Sequence, residues 1–264
     1  MLCNSTTGFV FCVYLTYSSP KRYLTVGAAP SPSEAESPAV TPRSPVTRPP
    51  TPSTRYASML NSHGFDLWAD GYDKSVGLSE EENAYPFAGY RDVLARVFAL
   101  AQPGPGRRVL DIGFGTGTLT TALYARGCEI WGVDFSPRML ALAQEKMPGA
   151  HLFCADFAAA LPGAVRAQRF DAITSTYALH HLTDEDKAAF LSSLLPLLAE
   201  GGQILIGDVA FATRAQRDAC RAASSGDWDE EEFYLVYEDA APFLPARSEF
   251  SFFPPCAGVL RIVP

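Results

Sequence analysis

The chain has 264 residues, 47% of them hydrophobic and 19% charged, enough apolar material to bury a sizeable core, which excludes a wholly disordered polypeptide. No run approaches the roughly eighteen apolar residues of a spanning helix, so no membrane span is expected. The formal charge of −8 gives no support to a general affinity for nucleic acid or anionic membrane.

The charge is unevenly spread. Residues 1–58 carry Lys21, Arg22, Arg43, Arg48 and Arg55 against Glu34 and Glu36, so the leader is basic and the body is strongly acidic. The stretch from Pro30 to Pro52 includes eight prolines, separated mostly by Ser, Thr and Ala. Such a stretch loses backbone donors and has little apolar surface to bury, and it reads as disordered or locally extended. Phe9 to Tyr17 is apolar but short, with no positive side chain before it, so export is not expected. Met59 stands where the polar tail gives way to a foldable pattern, which leaves a start there as an open alternative. The expected organisation is a leader over 1–58 and one domain over 59–264.

In the body, Gly89 to Gln102 places Val93, Leu94, Val97, Phe98 and Leu100 at helical spacing, ahead of a Pro103-Gly-Pro-Gly106 stop. Arg108 to Ile112 reads as a short buried strand, Gly113 to Gly117 as a glycine turn, and Thr118 to Arg126 as a helix. Cys128 to Val133 supplies the next strand with Asp134 at its end. Ser136-Pro137 starts a helix running to about Glu145, because Ser can cap exposed N–H groups and Pro is tolerated in the first turn. His151 to Cys154 and Phe170 to Ser175 are further strands. Asp184 to Ala199 is a helical run capped by Thr183 and ended by Gly201-Gly202, with a strand at Gln203 to Gly207. This alternation calls for a mostly parallel sheet covered on both faces. Arg247–Phe253 and Gly258–Val263 lie too close for a crossover helix and should pair antiparallel at the sheet edge.

The six cysteines are widely spaced, without a CxxC pair, and a reducing cytoplasm is the easiest assignment. His63, His151, His180 and His181 form no recognisable metal set, so no metal is expected. The strongest functional signal is the glycine turn, because a strand precedes it, a helix follows it, and Asp134 ends the second strand. Small residues let such a turn approach a ligand closely, and the acid is placed to accept from two ribose hydroxyls. The spacing alone leaves nicotinamide cofactors open. Thr118 stands where the dinucleotide pattern wants its third glycine, and Asp111 just before the turn suits an ammonium and sulfonium ligand better than a pyrophosphate.

Asp111-Ile-Gly-Phe-Gly-Thr-Gly117, Val133-Asp134, Ala155-Asp156-Phe157 and Ser175 to Leu182 together resemble the class I S-adenosylmethionine-dependent methyltransferases. Trp68-Ala-Asp-Gly-Tyr72-Asp73 and Ala210-Phe-Ala-Thr-Arg214 extend the likeness to an uncharacterised bacterial subgroup. The resemblance implies a Rossmann-like seven-stranded sheet of order 3-2-1-4-5-7-6, strand seven antiparallel, with helices on both faces. It implies S-adenosylmethionine as cofactor, with Gly113, Gly115 and Gly117 beneath its methionine and ribose. Asp134 would hold the ribose hydroxyls, Asp156 the adenine amino group, and Phe157 would lie beside the ring. Asp111, Phe135 and Tyr72 complete the expected cofactor set.

Tyr177, His180 and His181 follow the fourth strand at the rim where open sheets bind ligands, and they are the catalytic candidates. Trp228, Phe233, Tyr234 and Tyr237 lie in an acidic, aromatic segment placed to cover the acceptor. The expected activity is methyl transfer to a small soluble acceptor by direct in-line displacement, in a monomer or homodimer without nucleic-acid or membrane partners. An NAD-dependent oxidoreductase, or a protein that binds S-adenosylmethionine without turnover, are the alternatives.

Overall fold

A computed structural model describes residues 84–224 and 226–264. The expected leader, its boundary near Met59, and Trp68 and Tyr72 lie outside the described residues. Where the sequence alternates apolar runs with glycine turns, strands form: β1 (Arg108–Ile112), β2 (Glu129–Asp134), β3 (His151–Cys154), β4 (Phe170–Thr176), β5 (Leu198–Phe211), β6 (Leu235–Val236), β7 (Arg247–Phe253) and β8 (Ala257–Val263). Between them run α1 (Tyr90–Ala101), α2 (Thr118–Ala125), α3 (Pro137–Lys146), α4 (Gly163–Arg166), α5 (Asp184–Leu194), α6 (Arg214–Ala223) and α7 (Tyr237–Ala240).

The sheet order is β3-β2-β1-β4-β5-β8-β7, with β6 paired to β5 off this path. β1 to β5 are mutually parallel, and β8 runs antiparallel to both β5 and β7. This is the expected order, with the two-residue β6 raising the number of each later strand. The chain leaves β1 for β2 on one side and returns to β4 on the other. The C-terminal ends of β1 and β4 therefore part at a topological switch point, where such sheets open a crevice.

The pleat sends successive side chains to opposite faces. Val109, Ala172 and Leu205 pack with Val93 and Val97 of α1 and Leu119 and Leu123 of α2. Leu110, Ile173 and Ile204 pack on the other face with Leu191 and Leu194 of α5. Each fully buried Leu, Ile or Val contributes about 1.5–3 kcal/mol. Helix α1 lies so close to β5 that a Cβ built on Gly207 would stand 2.4 Å from Val93 Cγ1. Gly207→Ala is therefore expected to cost about 1–3 kcal/mol by overpacking, and Val93→Ala in the same chain should recover part of it. Urea unfolding of the single and double variants checks this.

Local signals hold at several helix starts. The Ser136 hydroxyl accepts from Met139 N at 3.1 Å, and Thr183 accepts from Asp186 N at 3.2 Å. The reading of Asp184 to Ala199 as one helix needs correction. α5 stops at Leu194, a 3₁₀ turn covers Leu195–Leu197, and β5 starts at Leu198. Pro196 has no N–H to return to the carbonyl four residues back, so the helix cannot pass it. Gly201-Gly202 does not end the helix. It sits within β5 where the register jumps from Phe170↔Leu198 to Ala172↔Gln203, and Gly201 takes φ 72°. The strand also runs past the expected Gly207 to Phe211. Among the described residues no helix is long and apolar enough to cross a membrane.

Candidate active site

The glycine turn leaves β1 and enters α2 above the switch point. Gly113 N donates to Val133 O at 2.7 Å, which ties the turn to β2. Gly113 adopts φ 69°, and a Cβ there would stand 2.5 Å from Ala178 Cβ, so the segment after β4 crosses it with no room for a side chain. Gly115, at φ 55°, has open space where a Cβ would project.

Asp134 closes β2 against this turn. It is 4% exposed; Oδ2 accepts from Gly115 N and Oδ1 from Ser136 N, both at 2.9 Å. A carboxylate oxygen accepts more than one hydrogen bond, so these contacts orient the group while it still lines the cleft. That cleft encloses about 1250 Å³ including its open mouth. Its wall carries Gly113, Gly115, Asp134, Phe135 and Phe157 together with Tyr177, His180, His181 and Glu232.

Tyr177 stands just after β4 at φ 53°, with its N–H on Gly207 O at 2.8 Å and its ring 5.1 Å from that of Tyr90. His180 follows on the 3₁₀ turn Leu179–His181. Its Nδ1 lies 2.6 Å from Asp208 Oδ1, and its Nε2 3.7 Å from Glu232 Oε1. Burial works against charge on this ring, but Asp208 and Glu232 outweigh it and push His180 up to about 9. His181 goes the other way, down to about 3, through burial and the neighbouring His180 charge. At neutral pH the pair is thus one imidazolium beside one neutral imidazole.

The Glu232 segment closes this side. Tyr234 donates from its hydroxyl to Glu232 Oε2 at 2.6 Å and also meets the Tyr85 hydroxyl. Trp228 stacks on Tyr85, ring centroids 5.2 Å apart. Tyr237 stacks on Phe250 instead, Phe233 is exposed, and none of Trp228, Phe233, Tyr234 and Tyr237 lines the cleft itself.

Residues 109–202 match a family described as a methyltransferase domain. An uncharacterised methyltransferase of Geobacillus kaustophilus is 38% identical over 194 residues, 71% of this chain and 87% of that protein. One from Geobacillus thermodenitrificans is 37% identical over the same shares. The chain belongs to the class I S-adenosylmethionine-dependent methyltransferases. Solved structures agree in fold: a DhpI–SAH complex has a TM-score of 0.57 at 16% identity, covering 81% of this chain and 98% of its own. The magnesium protoporphyrin IX methyltransferase of Synechocystis with bound SAH scores 0.54 at 20% identity, covering 80% and 98%.

Within this methyltransferase, three of the expected cofactor residues stand off the cleft wall. Gly117 caps the start of α2. Asp156 is exposed, and its Oδ1 accepts from Ala158 N at 2.9 Å in a local turn. Asp111 is buried behind the turn, accepting from the Thr120 hydroxyl and, at 2.9 Å, from Thr174 Oγ1.

Burial raises Asp111 to about 6, above its ordinary value near 3.8. The folded chain therefore holds this proton more tightly than the unfolded chain, and this carboxyl's contribution to stability falls as pH rises through that window. Asp111→Asn should gain on the unaltered chain between pH 4 and pH 7, since one threonine hydroxyl can go on donating to the amide oxygen while the other turns to accept from the amide nitrogen. Urea midpoints across that range check it; a constant gap would contradict the assignment.

Sequence reading missed Asp208 and Tyr85, and placed Glu232 only within the acidic segment beside the acceptor, not against His180. Asp208 had a signal, a lone acid directly after Ile204-Leu-Ile-Gly. Sequence spacing did not show that His180, His181 and Glu232 each bring a ligand atom within 4.8 Å of the others.

Proposed function

We propose that this methyltransferase moves the methyl group of S-adenosylmethionine to a small soluble acceptor by direct in-line displacement. The observation that carries this reading is that Gly115 and Asp134 share one cleft with Tyr177, His180, His181 and Glu232. Gly113 and Gly115 would leave room for the methionine and ribose, and Asp134 would accept from the ribose hydroxyls. Phe135 and Phe157 would flank the adenine. The bound cofactor supplies an electrophilic methyl on a sulfonium, so the protein's work is alignment and exclusion of water.

Among the described residues lining the cleft there is no Lys or Arg, whereas Asp134, Asp227, Asp229 and Glu232 are all present. That wall favours a neutral or cationic acceptor and disfavours a phosphate polymer. Cys128, Cys154, Cys220 and Cys256 are free thiols, which suits a reducing cytoplasm.

Calorimetry of the full chain against S-adenosylmethionine, its demethylated product and NAD is the first test, followed by methyl release over neutral, cationic and phosphorylated small acceptors. Binding of the first two ligands and turnover with a neutral or cationic acceptor is the expected result. NAD binding of equal strength, or retained cofactor affinity without turnover on any acceptor, would overturn the reading.

A further inference from the structure

Beyond the glycine turn, the cleft wall gathers metal-binding side chains from two distant parts of the chain. His180 and His181 sit on the turn after β4, and Glu232 comes from the segment leading into β6. Their ligand atoms lie within 4.8 Å of one another, and His180 Nε2 is 3.7 Å from Glu232 Oε1. Around an ion with nitrogen and oxygen ligands at about 2.0–2.2 Å, neighbouring ligands stand roughly 3–4 Å apart. A shift of less than about 1 Å by two side chains closes the set.

We propose that His180, His181 and Glu232 are the protein ligands of a divalent transition-metal ion in the acceptor part of the cleft. Three features favour an ion there. Asp208 Oδ1 holds His180 Nδ1 at 2.6 Å, which turns Nε2 toward Glu232 and reproduces the carboxylate–histidine support that metal-binding imidazoles use. Two carboxylates, Asp208 and Glu232, face this one ring, so a divalent ion in place of the Nε2 proton meets a cluster of the right sign. The ligand segments are also stitched together: Phe233 N donates to His180 O at 2.8 Å, and Lys187 Nζ bonds Phe233 O and, at 2.8 Å, Leu182 O. Lys187, whose charge reaches both histidines, is thereby held on backbone carbonyls.

Two imidazoles and one carboxylate leave positions open on such an ion, and here they face the cleft. This rests on the methyltransferase reading and narrows its acceptor to a molecule with a hydroxyl or thiol. Coordination acidifies that group, and its proton leaves to water. The lone pair on oxygen or sulfur then bonds the methyl carbon while the carbon–sulfonium bond breaks, its electron pair staying on sulfur as a neutral thioether. The ion is unchanged.

The test is titration of the chelator-treated full chain with Co²⁺ and Zn²⁺. One ion per chain is expected, with the visible absorption of a protein-bound Co²⁺. His181→Ala and Glu232→Gln should each weaken Co²⁺ binding at least tenfold, and His151→Ala, at the exposed start of β3, should not. Equal affinity in all four proteins would overturn the site, as would a thiolate-to-cobalt band assigning the ion to cysteine. Calorimetry with S-adenosylmethionine on the same samples separates the two readings: a chain that binds the cofactor but no Co²⁺ defeats the metal site alone.

Discussion

Asp208→Ala is expected to cost about 3–5 kcal/mol of folding stability, because it breaks a buried, hydrogen-bonded pair and leaves its partner behind. Asp208 is 5% exposed, and its Oδ1 serves both His180 Nδ1 at 2.6 Å and Val209 N at 2.8 Å. Its Oδ2 accepts from Leu179 N and His180 N, each at 3.2 Å. Truncation strands all these donors in the interior, and His180 must then keep its charge with Glu232 alone, 3.7 Å away, or give up its proton. In a His180→Ala background the same change should cost markedly less, because the two side chains share one interaction. Urea unfolding of the four members of that cycle measures it. A cost below about 1 kcal/mol for Asp208→Ala would mean that the pair does not hold the turn after β4.

The same residue shows where sequence reading stops. The turn at 113–117 and Asp134 were legible because each belongs to a contiguous order of strand, glycines, helix, strand and acid, and local order is what periodicity reports. Asp208 reaches His180 from 28 residues away across parallel strands, and Glu232 arrives through a segment with no repeating pattern. Metal-ligand spacing rules work on close repeats, so His180 and His181 showed no partner until the fold supplied one. Gly201-Gly202 failed differently. A glycine pair after an apolar helical run is the same signal for a helix stop and for an irregularity within a strand, and only the β4–β5 register separates them. Asp156 was recognised by likeness, but its side chain is the natural partner of the N–H two residues on, a contact that needs no ligand.

Asp134→Ala should raise the dissociation constant for S-adenosylmethionine about ten- to a hundredfold, since a hydrogen bond to a charged group contributes about 1.5–3 kcal/mol. The carboxylate has two duties, and the variants can separate them. It holds Gly115 N and Ser136 N, which shape the turn and the start of α3, and it faces the cleft where a ribose would lie. Asp134→Asn keeps an oxygen for one of those amides but sets its NH2 against the other backbone N–H and loses the charge, so it should cost about 1–3 kcal/mol of stability as well as cofactor affinity. Asp134→Glu keeps the charge at a longer reach and should bind more tightly than either. Calorimetry read beside urea unfolding distinguishes the duties: if affinity falls only in step with stability, Asp134 acts on the turn alone. Unchanged affinity in a folded Asp134→Ala chain would remove the ribose contact from the reading altogether and leave the acid at the end of β2 with its hold on Gly115 N and Ser136 N alone.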